Sequence, residues 1–246
     1  EITSIGNYTP DAVSGGTNDT RVVVGKPVGT NFVVQYVGVD PETGRNVYLD
    51  GDGNETMNWD PMHRVPVGRV LPIAVGGLTN TFSFGRWDVG VVMVYSLGSN
   101  IYDSSGKRQM GVVTDWNMRD EVFDRWRQPG DQAEFAQLSL RPENYGVGDP
   151  FQLNTTQWLY PGDYLRLRRL SVAYNIPRFK VGAMDIEGAT ITLAAMNFFT
   201  ITNFPGLDPE IARDFENPTD RNMSPNITFL TPPQEQAYTI AINLRF

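Results

Sequence analysis

Apolar and polar side chains alternate without a break at the C-terminal end of the chain. Tyr238, Ile240, Ile242, Leu244 and Phe246 fall on one face, and Thr239, Ala241, Asn243 and Arg245 on the other. A period of two means a β-strand, and about ten residues is the length a tilted strand needs to cross a bilayer. The apolar face carries an aromatic at each end, as a strand between interfacial girdles does, and the polar face carries a charge suited to water. An amphipathic edge strand of a soluble sandwich alternates in the same way, but an uninterrupted apolar edge invites aggregation in water.

The alternation recurs upstream. Leu78, Phe82 and Phe84 alternate with Thr79, Thr81 and Ser83; after a tight turn at Gly85-Arg86, Trp87, Val89, Val91, Met93 and Tyr95 alternate with Asp88, Gly90 and Ser96. Val92 and Val94 interrupt the polar face, yet the two segments predict a hairpin. A further strand is expected over Tyr164–Tyr174, with muddled parity at Leu165–Arg168 where a bulge fits. Another starts at Thr190 and loses its parity at Asn197-Phe198-Phe199. The connections Phe84–Trp87 and Asn175–Ala189 are short to moderate, whereas Val39–Pro72, Gly98–Pro161 and Asn203–Glu235 are long. Short turns on one side and long loops on the other are the habit of bacterial barrels. With the C-terminus periplasmic, Asn203–Glu235 is extracellular, and counting back gives about six spanning strands, one of them near Asn31–Val39. Such a set cannot close a single-chain barrel, which needs eight or more strands. One short loop helix is predicted over Met118–Arg127, because Met118, Val122 and Trp126 share a face, with Asn117 as cap and Pro129-Gly130 as stop. The fold class expected is therefore all-β, an antiparallel transmembrane β-barrel segment with long extracellular loops.

Composition narrows the chemistry. Gly (24) and Pro (17) favour strands and turns over helices, and a net charge of −8 argues against a nucleic-acid surface. The absence of Cys removes disulfides, zinc thiolates and thiol nucleophiles, and the single His63 removes sites that need two imidazoles. No apolar run approaches the ~20 residues of a membrane helix. The chain does not begin with Met, which points to a removed leader or to a piece of a longer polypeptide.

Several blocks, in order, resemble the end of the SusC/RagA type of TonB-linked outer-membrane protein. They are Tyr36-Val37-Gly38-Val39-Asp40-Pro41-Glu42-Thr43-Gly44, Asp50-Gly51-Asp52-Gly53-Asn54 and Gly76-Gly77-Leu78-Thr79-Asn80-Thr81-Phe82. Asp124-Arg125-Trp126, Pro161-Gly162-Asp163-Tyr164-Leu165-Arg166-Leu167-Arg168 and Pro205-Gly206-Leu207-Asp208-Pro209-Glu210 follow, and the alternating terminus completes the set. Each block is weak alone; their order across nearly the whole chain is specific. The resemblance implies a barrel of about twenty-two strands with an N-terminal plug, importing glycans or oligopeptides across the outer membrane of a Gram-negative bacterium. It implies a SusD-like surface lipoprotein as lid and TonB as energy source, contacted through the missing N-terminal part. Residues 1–246 would then be the C-terminal portion of that barrel, with plug and N-terminal strands absent. The row Tyr238, Ile240, Ile242, Leu244 and Phe246 looks like the assembly signal such barrels present to their insertion machinery. A secreted β-sandwich carbohydrate-binding module is the alternative from another class.

Candidate site residues are few. Asp50, Asp52 and Asn54 have the opening spacing of a calcium loop, but Glu55 and Pro61 stand where the loop wants Gly and an acidic ligand. An acidic surface turn is the leading reading, and a structural Ca²⁺ held with Glu55 the alternative; no other cofactor is expected. Trp116, Trp126, Trp158 and Tyr160 lie in or beside the long loop, where they either stack on sugar rings and pack against a lid or, more commonly, pack the loop onto itself. Arg166, Arg168 and Arg169 either line the upper lumen and steer an anionic or polar solute or form paired charges on the wall. Acidic pairs such as Asp120-Glu121 fall on a helix surface where solvation explains them, and phosphate-loop and dinucleotide motifs are missing, so the chain is not expected to be an enzyme.

Overall fold

The computed structural model describes residues 1–8, 20–110, 117–138, 153–210 and 226–246. They form two compact units. Unit 1 comprises Glu1–Leu71, Ser99–Pro161 and Ile211–Thr231; unit 2 comprises Pro72–Gly98, Gly162–Glu210 and Pro232–Phe246.

Unit 2 is one antiparallel sheet of five strands, β1 (Ala74–Phe84), β2 (Trp87–Leu97), β3 (Tyr164–Ile176), β4 (Gly188–Thr202) and β5 (Ala237–Arg245). Each pairs with its sequence neighbour, so the order is a meander from β1 to β5. The first hairpin closes through Gly85 at φ +59, a conformation that Gly adopts freely and that suits the first central position of a two-residue hairpin turn. Between β3 and β4 a small hairpin, Phe179–Val181 with Met184–Ile186, is braced by an Arg178–Asp185 ion pair.

The register aligns the alternation of all five strands. Leu165 is flanked by Tyr95 and Ile201, Leu170 by Val91 and Ala195, Val172 by Val89 and Leu193, and Ile191 and Leu193 by Ile242 and Ile240. One face is thus apolar from β2 to β5 and continues onto β1 through Leu78, Phe82 and Phe84, interrupted there by Asn80 opposite Val91. It is also open: Leu193, Ile240 and Ile242 are 52%, 73% and 65% exposed. Aromatics mark its two ends, with Phe84, Trp87 and Tyr174 at one and Tyr95, Phe198, Phe199 and Tyr238 at the other. The Trp87 and Tyr174 rings touch at 4.6 Å and Phe198 meets Tyr238 edge-on at 6.4 Å.

The parity breaks at Leu165–Arg168 and Asn197–Phe199 have one cause. The register shifts between Leu167 and Arg169 against both neighbours: Arg168 is the extra residue opposite β2, and it faces both Asn197 and Phe198 on β4. This bulge lets Leu165 and Leu167 share the apolar face with Leu170, Val172 and Tyr174. Asn197 takes the left-handed conformation at φ +50, which Asn tolerates better than most residues.

Among the described residues unit 1 holds three small sheets. Thr30–Val34 pairs with Thr20–Arg21 and Arg64–Val67; Asn46–Leu49 pairs with Tyr36–Val39 and Glu55–Thr56; Asn100–Asp103 lies between Leu159–Pro161 and Ile227–Thr228. Val33, Tyr102, Met110, Trp158 and Ile227 form its core, with Val67, Val122, Phe135 and Leu159 packed around them. The helix Ser104–Met110 is held at its start by Asp103, whose Oδ1 accepts from the Gly106 N–H at 2.9 Å.

Three expectations are corrected. The long sheet has five strands among the described residues, not six: the segment near Asn31–Val39 divides at Gln35 into two short strands of different sheets. Val33 and Val34 are adjacent and both fully buried, so neither face of that strand is free for lipid. The predicted helix Met118–Arg127 is a five-residue 3-10 turn, Asp120–Asp124. Its shared face is pulled apart, because Val122 joins the core while the Trp126 N–H donates to the Phe135 carbonyl at 2.8 Å. The stretch Gly98–Pro161 is no plain loop, since it supplies two strands and the helix Ser104–Met110 to unit 1. Among the described residues no helix is long and apolar enough to cross a membrane, a statement that does not bear on strands.

Candidate functional site

The face of the five-stranded sheet opposite the apolar one carries the polar chemistry. Near the β1–β2 turn, Ser83 Oγ donates to Asp88 Oδ1 at 2.6 Å and Asn175 Nδ2 to Asp88 Oδ2 at 2.7 Å. Thr190 Oγ1 donates to Asn175 Oδ1 at 2.9 Å, so a polar chain crosses β1 to β4. Arg169 and Arg245 are exposed, and among the described residues neither has a carboxylate partner.

Toward the other end lies a charge cluster. Arg166, 2% exposed, bonds through Nη2 to Asp208 Oδ1, while its Nη1 lies 3.0 Å from Glu210 Oε2 and its Nε donates to Thr200 Oγ1 at 3.0 Å. Arg168 is paired with Glu210 Oε1 and reaches Asn197 Oδ1 at 3.4 Å. Asp208 further accepts the backbone N–H of Glu210 at 2.8 Å and of Gln234 at 2.9 Å. Burial pushes the Asp208 carboxyl up, but the Arg166 hydrogen bond and the two N–H donors outweigh it and hold it below the usual carboxylate range. This carboxylate therefore ties together a strand, the segment that follows β4 and the segment that leads into β5. Beside it opens a cleft of about 630 Å³, walled by Arg166, Thr200, Leu207, Asp208, Gln234 and Glu235 among others.

The three arginines singled out from the sequence thus divide. Arg166 and Arg168 are paired charges, the second of the two roles expected for them, and Arg169 alone faces solvent. Asp208 and Glu210 carry no sequence-assigned role, although the Asp-x-Glu spacing between prolines is visible; their partners lie 42 residues upstream, beyond any local pattern.

The aromatic candidates belong to unit 1. Trp158 is a core residue, 5% exposed, stacked on Phe135 at 6.4 Å, so it offers no surface for a sugar or a lid. Tyr160 sits in a strand paired with Ile101, and burial pushes its hydroxyl up to about 12. Trp126 is half-buried; its Nε1 donates to the Pro41 carbonyl at 2.7 Å and its ring lies over Gly44. Trp116 lies outside the described residues.

The acidic turn satisfies itself. Asp50 Oδ1 accepts the N–H groups of Asp52 and Asn54, each at 2.9 Å, and the Asn54 N–H leads in lowering this carboxyl below the usual range. Among the described residues no three His, Cys, Asp or Glu side chains gather as a metal site would require.

No family model matches the chain. It is 21% identical over 237 residues to the TonB-dependent receptor P3 of Formosa agariphila, covering 90% of this chain and 22% of that protein. It is 25% identical over 223 residues to the TonB-dependent receptor SusC of Bacteroides thetaiotaomicron, covering 87% and 20%. Among solved structures it superposes on the RagAB peptide transporter with a TM-score of 0.72, at 21% identity, covering 94% of this chain and 24% of that one. These show a distant but consistent relationship to TonB-dependent receptors of the SusC/RagA kind, and the chain spans about a fifth to a quarter of the length of the relatives it matches.

Proposed function

We propose that this chain is the C-terminal part of the β-barrel of a TonB-dependent importer in a Gram-negative outer membrane, serving glycans or oligopeptides with a SusD-like lipoprotein as lid. One observation carries the reading: the long sheet exposes its apolar face and places its charges on the other. A soluble protein buries the apolar face, whereas a lipid-facing barrel wall exposes it and keeps charge toward water. The aromatic bands at Trp87 and Tyr95 lie eight residues apart, about 26 Å along the strand; at a barrel strand's tilt of about 40° this spans about 20 Å of the ~25 Å apolar band of outer-membrane barrels. The distant relationship to TonB-dependent receptors supports an outer-membrane location and a transport role. The edges of β1 and β5, unpaired among the described residues, are met in this reading by further strands of the same barrel. The row Tyr238, Ile240, Ile242, Leu244 and Phe246 serves as the assembly signal.

The test is fractionation of the full-length protein. It should be in the outer membrane and shift its gel mobility on heating, and deleting its gene should abolish growth on one glycan or peptide source. Recovery as a detergent-free soluble monomer would refute the proposal and favour a secreted sandwich module.

A further inference from the structure

The cleft on the polar face has walls that make it selective by charge. One guanidinium group stands in its wall, Arg166, and Arg168 is linked to it through their shared partner Glu210; unpaired, they would draw anions toward a space of about 630 Å³. Both are neutralised from within the same unit. Arg166 is paired with Asp208 and Glu210, and Arg168 with Glu210. Glu235, also in the wall, adds a third carboxylate that has no side-chain partner among the described residues. In the wall itself two acids, Asp208 and Glu235, thus answer one base, Arg166, while Glu210 neutralises Arg168 beside it, and an anion would meet net negative charge. The remaining lining is uncharged and hydrogen-bonding, from Thr200, Thr202 and Gln234, beside the apolar Leu207 and Pro233.

We infer that this cleft is a subsite for an uncharged, hydrogen-bonding segment of cargo, and that Asp208 and Glu210 are the residues that keep anionic cargo out. Its physiological meaning rests on the importer reading; the charge logic does not. Glu210 is the better handle, since its side chain is 28% exposed whereas that of Asp208 is 5% exposed. Glu210→Gln leaves the Arg166–Asp208 bond in place while releasing Arg168 and the second contact of Arg166.

The probe is inorganic tripolyphosphate, titrated calorimetrically into the full-length protein in neutral detergent. The unmodified protein should bind it at least tenfold more weakly than Glu210→Gln, and adding Arg166→Gln and Arg168→Gln should remove the gain. Equal binding before and after Glu210→Gln in a variant that keeps its heat-shifted band would overturn the inference, as would a gain that survives loss of both arginines. In cells, uptake of a neutral oligosaccharide should exceed that of its uronate counterpart of the same length, and Glu210→Gln should narrow that preference; a neutral and an acidic peptide form the second arm. If no cargo enters in either arm, the importer reading fails, while the titration still decides the cleft.

Discussion

Gly44 and Trp126 should be energetically coupled, and the structure sets the size of the effect. Gly44 has φ +67, where a side chain is strained, and a methyl group there would fall 2.9 Å from Trp126 Cγ and closer still to Cδ2 and Cε3. Gly44→Ala then costs about 1–2 kcal/mol for the left-handed backbone. The ring must also move by about 1 Å to regain a normal contact, which loosens the 2.7 Å bond from Nε1 to the Pro41 carbonyl. That bond contributes about 1 kcal/mol, and lost burial of the half-buried ring adds about 1 kcal/mol. Gly44→Ala should therefore destabilise this contact by about 3 kcal/mol, and Trp126→Ala by about 2–3 kcal/mol. With Trp126 already removed, Gly44→Ala should cost only the backbone part, so the pair falls short of additivity by about 1.5–2 kcal/mol. Hydrogen exchange reads this locally, because the Gly130 and Gln137 N–H groups donate to the Pro41 and Gly44 carbonyls at 2.8 and 2.9 Å. Additive losses of protection at those amides would refute the proposed packing.

Three further outcomes are expected. Ile240→Arg should destabilise the membrane-inserted protein by about 2–4 kcal/mol, as a charge at the bilayer midplane does, while Ala241→Arg on the other face should barely register in urea unfolding from vesicles. Asp208 has a depressed folded-state pKa, so its stabilisation is complete above the ordinary 3.8 and is lost as pH falls through the lower folded value; exchange protection of the Glu210 and Gln234 amides should decline on acidification below that point, and Asp208→Asn should abolish the dependence. Asn197→Gly should be nearly neutral, whereas Asn197→Val should cost about 1–2 kcal/mol for the same left-handed backbone, checked by thermal loss of the heat-shifted band.

The long strands were legible because alternation is local. The β1–β2 hairpin and the last strand follow directly from side chains at i and i+2, and even the muddled parity at Leu165–Arg168 pointed to the bulge. What escaped depends on partners far along the chain. Asn197-Phe198-Phe199 is unreadable without Arg168 opposite it. Asp208 and Glu210 become meaningful only beside Arg166 and Arg168. Unit 1 resisted for another reason: its interior mixes buried Thr20, Asn31, Asp103 and Asn154 with the apolar core, so no single period runs through it. Trp126 packs onto Gly44 and Pro41, contacts far along the chain that no helical face with Met118 could have shown.

The central claim is that the apolar face of the long sheet meets lipid. Single cysteines at Tyr238, Ile240 and Ile242, and at Thr239, Ala241 and Asn243, in the full-length protein of intact outer membranes test it directly. With a membrane-impermeant thiol reagent, the account predicts labelling of the 239/241/243 set and protection of the 238/240/242 set. The opposite pattern would contradict it.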